Sequence, residues 1–190
     1  MKLFSVLVLL LVAQLLGAAS IEQLDVWTDN GVYRLHLKAH PDGPVDDLWT
    51  ILDNFANLPR MLHTVTAVEL RPGADPNQRR VEIRMYDCVL FYCRRFHHVQ
   101  DVVKLAPYSI IALIDPNDSD YRGGWARWQM GDQPDGETWL DIQIAVIPDF
   151  WVPPLIGPWI LRRKLRQEGL ELLRGIETLH RMPALNALPE

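Results

Sequence analysis

The sequence predicts an α+β fold: a curved antiparallel β-sheet wrapped around one long C-terminal helix, with two short helices after the first strands, enclosing an apolar cavity. Three observations carry this. From residue 64 to 147 the apolar pattern alternates with period two, as half-buried strands require. The breaks in that pattern are short and turn-rich, which joins neighbouring strands antiparallel. The only long helical stripe comes last, and a sheet that buries one face needs such a cover.

The elements follow in order. "VWTDNGVYRLHLKA" holds two alternating runs around Asn30-Gly31, a hairpin signal. In "HPDGPVDDLWTILDNFANLPRML" the period changes to helical, with Val45, Leu48, Trp49, Ile51 and Leu52 recurring on one face. Asp46 and Asp47 occupy the first turn, where the helix dipole favours acids. Pro59 is expected to close that helix and leave room for a second short one. Six strand-like runs come next: "TVTAVELR", "RRVEIRMYD", "RRFHHVQDVVKL", "YSIIALID", "GGWARWQMG" and "ETWLDIQIAVI". They are separated by pieces such as "PGADPNQ", "DPNDSDYRGG" and "DQPDGE". Finally, "PPLIGPWILRRKLRQEGLELLRGIETLHRM" presents Leu161, Leu165, Leu172, Ile176 and Leu179 as one stripe. Arg162, Arg163, Lys164, Arg166 and Glu168 fall largely outside it.

The first twenty residues, "MKLFSVLVLLLVAQLLGAAS", are set apart from this fold. Lys2, the greasy run Phe4 to Leu16 and the small residues near Ala19 or Ser20 are the parts of a cleaved signal peptide. The run is shorter than the roughly 20 apolar residues of a membrane span. Residues 1–20 are therefore expected to be a signal peptide and residues 21–190 the domain, exported to the periplasm or cell envelope. Cleavage removes Lys2 and no acid, so the net charge of −5 becomes −6. An acidic chain without a long basic stripe argues against nucleic acid as a partner.

"VDDLWTILDNFANLPRMLHTVTAVEL" and "VIPDFWVPPLIGPWILRRKLRQEGLELLRGIE" resemble the START-like (SRPBCC) superfamily, close to its polyketide cyclase/dehydrase and coenzyme Q-binding branch. The first is similar to that family's opening helices and following strand. The second is similar to its last strand, Pro-rich corner and C-terminal helix. With the agreeing order of elements between them, the resemblance covers roughly residues 24 to 180. It implies a helix-grip fold holding a ligand between sheet and helix. The superfamily spans lipid carriers, quinone-binding proteins, aromatase/cyclases and hydrolases, so fold alone does not choose among them.

Enzyme signatures are missing: the chain has no GxSxG, HExxH, P-loop or GxGxxG. His97 and His98 are neighbours on a strand and point to opposite faces, which keeps them from sharing a metal. Of Asp87, Asp101 and Asp141, at most one is expected to face the cavity as an acid or base. No catalytic residue, metal or cofactor is assigned.

Alternation does define faces. Val81, Ile83 and Met85 share one; so do Ala126, Trp128 and Met130; so do Leu140, Ile142 and Ile144. With Leu161, Leu165, Gly169 and Leu172 of the helix, they are the expected ligand-cavity residues. Plain core is the competing reading of each. Gly169 and Gly175 each cost about 1 kcal/mol of helix propensity. A missing side chain leaves room for a ligand, or for close packing against the sheet.

The only two cysteines lie in "YDCVLFYCRRF". From Arg79 to Leu105 there is no Gly or Pro, yet one strand of that length is implausible. A straight strand would hold Cys88 and Cys93 about 16 Å apart at roughly 3.3 Å per residue. A hairpin turning across Val89, Leu90, Phe91 and Tyr92 makes them facing neighbours, within the roughly 4.4–6.8 Å between Cα atoms that a disulfide tolerates. Export permits such a bond. The alternative is a bulged strand with two reduced cysteines. An apolar tip followed by Arg94 and Arg95 suits a cavity entrance that touches anionic headgroups. Phe150, Trp151 and Trp159, from the corner "PDFWVPPLIGPWIL", are expected at the same entrance.

The expected function is an exported carrier or binding protein for a hydrophobic small molecule such as a lipid, quinone or polyisoprenoid, with peripheral membrane contact. The alternative is a cyclase/dehydratase or hydrolase acting on a hydrophobic substrate in the same cavity.

Overall fold

The protein is described by a computed structural model covering residues 19–73, 75–89 and 92–182. Two strands open it, β1 (Ser20–Asp29) and β2 (Val32–His40). They turn at Asn30 and Gly31, whose positive φ angles of 49° and 79° suit the tight hairpin this pair signals. Helix α1 (Val45–Asp53), a 3-10 turn (Phe55–Asn57) and helix α2 (Leu58–Met61) follow. The first helix ends earlier than expected. Asn54 takes an extended conformation and its side chain accepts from the Ala56 N–H, starting the 3-10 turn. Pro59 instead sits in the first turn of α2, where its missing N–H leaves no bond unmade.

Six strands come next: β3 (Val65–Pro72), β4 (Gln78–Val89), β5 (Tyr92–Leu105), β6 (Ser109–Ile114), β7 (Tyr121–Asp132) and β8 (Thr138–Pro148). Helix α3 (Gly157–Arg181) closes the described chain. All eight strands form one antiparallel sheet in the order β1-β2-β8-β7-β6-β5-β4-β3. The sheet curves around α3, the helix-grip arrangement that the resemblance implies.

The grip is filled at one end. Leu35 and Leu37 from β2, Leu140 and Ile142 from β8, Val81 from β4 and Val102 from β5 are all but sealed from solvent. Leu48 and Leu52 of α1 close over them, and Phe55 stacks on Trp128 with ring centroids 5.4 Å apart. The C-terminal half of α3 presses Leu172, Leu173, Ile176 and Leu179 into this core. Its glycines serve close approach. A Cβ on Gly175 would stand 2.6 Å from Met61 Cβ, and one on Gly169 would stand 3.1 Å from Leu35 Cδ1.

The hairpin reading of the cysteine stretch matches the structure. Cys88 and Cys93 face each other across β4 and β5 and are joined by a disulfide. Their Cα atoms are 3.9 Å apart, tighter than the expected range, because they are directly opposed where the strands converge on the turn. Leu90 and Phe91, the side chains of Val89 and Tyr92, and residues 1–18 lie outside the described residues.

Candidate ligand cavity

At the opposite end of the grip the sheet and helix part. A cavity of about 560 Å³ lies between the N-terminal half of α3 and the ends of β2, β4, β5, β7 and β8 that meet there. Helical spacing brings Leu161, Leu165 and Glu168 onto one wall, one turn apart. Strand alternation brings Met85 and Asp87 of β4, and Phe96 and Arg94 of β5, onto the facing wall. Phe150, Trp151, Val152 and Ile156, from the connection between β8 and α3, form the rim.

Of the residues expected to line a cavity, Met85, Leu161 and Leu165 do so, and Arg94, Phe150 and Trp151 line its entrance side. Val81, Ile83, Trp128, Met130, Leu140, Ile142 and Leu172 belong to the closed core instead, with Ala126 and Ile144 packed against it. Gly169 faces Leu35 and Leu24, so it makes room for packing, not for a ligand. Trp159 is exposed beside the rim, with the Arg163 guanidinium over its ring at 5.7 Å. Arg95 points away, onto the outer face near Glu82 and His97. The rim continues onto the surface, where Trp151 is 79% and Leu155 95% exposed.

Apart from Asp87, one of three acids of which at most one is expected at the cavity, sequence reasoning missed the polar groups. Tyr33, Asp87, Tyr121, Lys164 and Glu168 line the cavity as well. The signal for Glu168 was present: it continues the Leu161–Leu165–Leu172 stripe, as a lone acid on an apolar face. Asp87 similarly extends the Val81–Ile83–Met85 alternation by one step.

These groups are arranged, not scattered. Lys164 Nζ donates to Asp87 Oδ1 at 2.5 Å, spanning from helix to sheet. Arg94 lies over the rings of Phe96 and Phe150 and donates to Asp120 at 2.9 Å. Glu168 accepts one bond, from the buried Thr64 hydroxyl at 3.2 Å. Burial, with Asp87 and Glu171 nearby, pushes its carboxyl up to about 7 against the opposing pull of Thr64 and Lys164. Burial also raises the Tyr121 phenol, with the charges of Glu168, Asp120 and Asp87 adding to it.

Behind Tyr121, His98 meets its ring edge-on at 5.3 Å and lies 3.1 Å from Gln100 Oε1. That oxygen only accepts, so Nε2 carries the proton. Burial holds this imidazole neutral, down to about 4. His97 faces outward, 3.1 Å from Glu82. Asp101 and Asp141 also face outward, paired with Arg80 and His36, which leaves Asp87 alone of the three at the cavity.

No family model and no curated protein matches the sequence significantly. Solved structures do resemble this one. The Zhui aromatase/cyclase from Streptomyces sp. R1128 is 10% identical over 80% of this chain and 96% of its own, with a TM-score of 0.64. The di-domain ARO/CYC BexL from the BE-7585A biosynthetic pathway is 14% identical, with a TM-score of 0.60 over 80% of this chain and 50% of that one. A STAR-related lipid transfer protein from Xanthomonas axonopodis is 12% identical over 83% of this chain and 98% of its own, at a TM-score of 0.55. At these identities the likeness is one of fold.

Proposed function

We propose, from the START-like (SRPBCC) helix-grip fold that the chain has, that it is an exported carrier or binding protein for a hydrophobic small molecule such as a lipid, quinone or polyisoprenoid. The observation that carries this reading is the cavity of about 560 Å³ with apolar walls at the open end of the grip. An apolar ligand entering it leaves water at roughly 25 cal/mol per Å² of apolar surface removed. Lipid-transfer and cyclase proteins share the fold, which suits a hydrophobic guest.

Export is supported by the leader-like first residues and by β1 starting at Ser20, beside the expected cleavage point. Membrane contact is supported by the exposed Trp151, Leu155, Ile156 and Trp159 at the rim, with Arg163 among them. Among the described residues no helix is long and apolar enough to cross a membrane. The direct test is organic extraction and native mass spectrometry of protein isolated from its host envelope. A bound apolar species is the expected result. Protein that carries no extractable ligand and ignores vesicles would end the carrier reading.

The one observation that favours the enzyme alternative is Glu168 standing near Asp87, Lys164 and Tyr121 inside the cavity. Turnover of an extracted ligand, abolished in Glu168→Gln, would establish it.

A further inference from the structure

We propose that the cavity selects ligands with an uncharged oxygen head, a hydroxyl or carbonyl seated between Glu168 and Tyr121, on an apolar body of about twenty non-hydrogen atoms. This rests on the hydrophobic-ligand reading and adds the chemistry of the head.

The size comes first. At the ~30 Å³ that a water occupies in the liquid, about 560 Å³ holds about twenty heavy atoms. That is a single long chain or a compact polycycle, well short of a diacyl phospholipid. From Gly157 at the rim to Glu168 is ~16 Å along the helix, at 1.5 Å per residue. Beyond Glu168 the helix meets closed core at Leu172, so Glu168 marks the inner end.

The head follows from the charges. Both cations on the cavity wall are already neutralised, Lys164 by Asp87 and Arg94 by Asp120. An entering carboxylate therefore finds no unpaired cation there, and it would lose its water. The groups left to bond a guest are a carboxyl and two hydroxyls. Glu168 meets the Thr64 hydroxyl through Oε1, which leaves Oε2 to face a guest. Tyr33 and Tyr121 line the same cavity and bring phenol hydroxyls to it. A carboxylic acid and a phenol can each donate to, or accept from, a neutral oxygen.

The proton on Glu168 then matters. The groups facing it are Asp87 on β4, Tyr121 on β7, and Lys164 and Glu171 on α3, with His63 holding Glu171 at 2.5 Å. Below about 7 the carboxyl is neutral and the wall carries no net charge. Above it, the carboxylate only accepts: it repels a carbonyl oxygen, still takes a bond from a hydroxyl, and attracts an ammonium.

The test displaces the neutral fluorophore N-phenylnaphthylamine from the whole mature protein with cetyl alcohol, palmitate or cetylamine. At pH 6 the alcohol is expected to compete at least tenfold better than palmitate. At pH 8.5 the amine gains several-fold, while the alcohol, donating to the carboxylate, keeps its place ahead of palmitate. Glu168→Gln keeps the alcohol preference and removes the pH dependence, while Tyr121→Phe narrows the gap between alcohol and palmitate. Palmitate equalling the alcohol, or pH dependence surviving in Glu168→Gln, overturns the head assignment and leaves the hydrophobic-ligand reading standing. Failure of the fluorophore and all three competitors to bind overturns both.

Discussion

Gly169 and Gly175 lie on the same helix and answer substitution differently. An alanine at 169 brings its Cβ to 3.1 Å from the end of the flexible Leu35 side chain. That chain can give, so the helix-propensity gain of about 1 kcal/mol survives in part. An alanine at 175 meets Met61 Cβ at 2.6 Å and its Cα at 2.7 Å, where backbone must move. Gly169→Ala is therefore expected to be neutral or slightly stabilising, and Gly175→Ala to lose about 1–3 kcal/mol by overpacking. Urea midpoints at unchanged m decide this; equal midpoints would refute the close approach of α2 and α3. His98 supplies a pH signature. Folded, it holds its proton only below about 4; unfolded, below roughly 6.5. Between those values the unfolded chain binds more protons, so stability present above pH 6.5 is lost as pH falls toward 4. His98→Gln is expected to flatten that loss. The raised carboxyl of Glu168 works in reverse: its contribution is present below roughly 4.5 and lost as pH rises through about 7. Urea midpoints measured from pH 4 to 8 on both glutamine variants separate the two.

The hairpin of β4 and β5 is the element the sequence describes best. Its turn has no turn-forming residue, yet strand length and disulfide reach together favour it over a bulged strand. Opening the Cys88–Cys93 bond releases only a short loop, so the expected loss is about 2 kcal/mol, at the low end for disulfides. A dithiol reductant should lower the urea midpoint of the wild type and leave Cys88→Ala/Cys93→Ala unmoved. An intact mass showing two free thiols in oxidised protein would contradict the bond. Less legible was what the hairpin arms carry inward. Asp87 and Arg94 are paired across the strands, and both turn toward the cavity. In α3 the same difficulty recurs. By sequence, Lys164 and Glu168 read as outward, because charged residues usually are. Only the partner Asp87, far away in sequence, makes an inward Lys164 tolerable.

At the scale of the whole molecule, α3 borders two different interiors. Its last turns seal a packed core and its first turns roof a cavity. Element order and inward faces were readable from periodicity; which end stayed hollow was not. Alternation distinguishes inside from outside but carries no information on how far along the strands a plug reaches. That plug is Phe55, Leu48 and Leu52, delivered by the short helices. The two ends should respond differently to truncation. Leu140→Ala is expected to cost about 2–5 kcal/mol. Leu161→Ala, at a wall already facing empty space, should cost under about 1 kcal/mol while shifting ligand affinity. Thermal denaturation alongside fluorophore titration checks both, and equal destabilisation would argue against a hollow end.

Such a helix is mechanically a cantilever. It is clamped from Gly169 onward by Leu35 and, farther along, by Met61. Toward Gly157 it is braced to the sheet by the Lys164–Asp87 strut and by Arg166, whose guanidinium donates to the Leu24 carbonyl. Deflection of a clamped beam grows with distance from its clamp. The largest excursions are therefore expected at the aromatic rim, where the proposed guest would pass while the packed core stays in place.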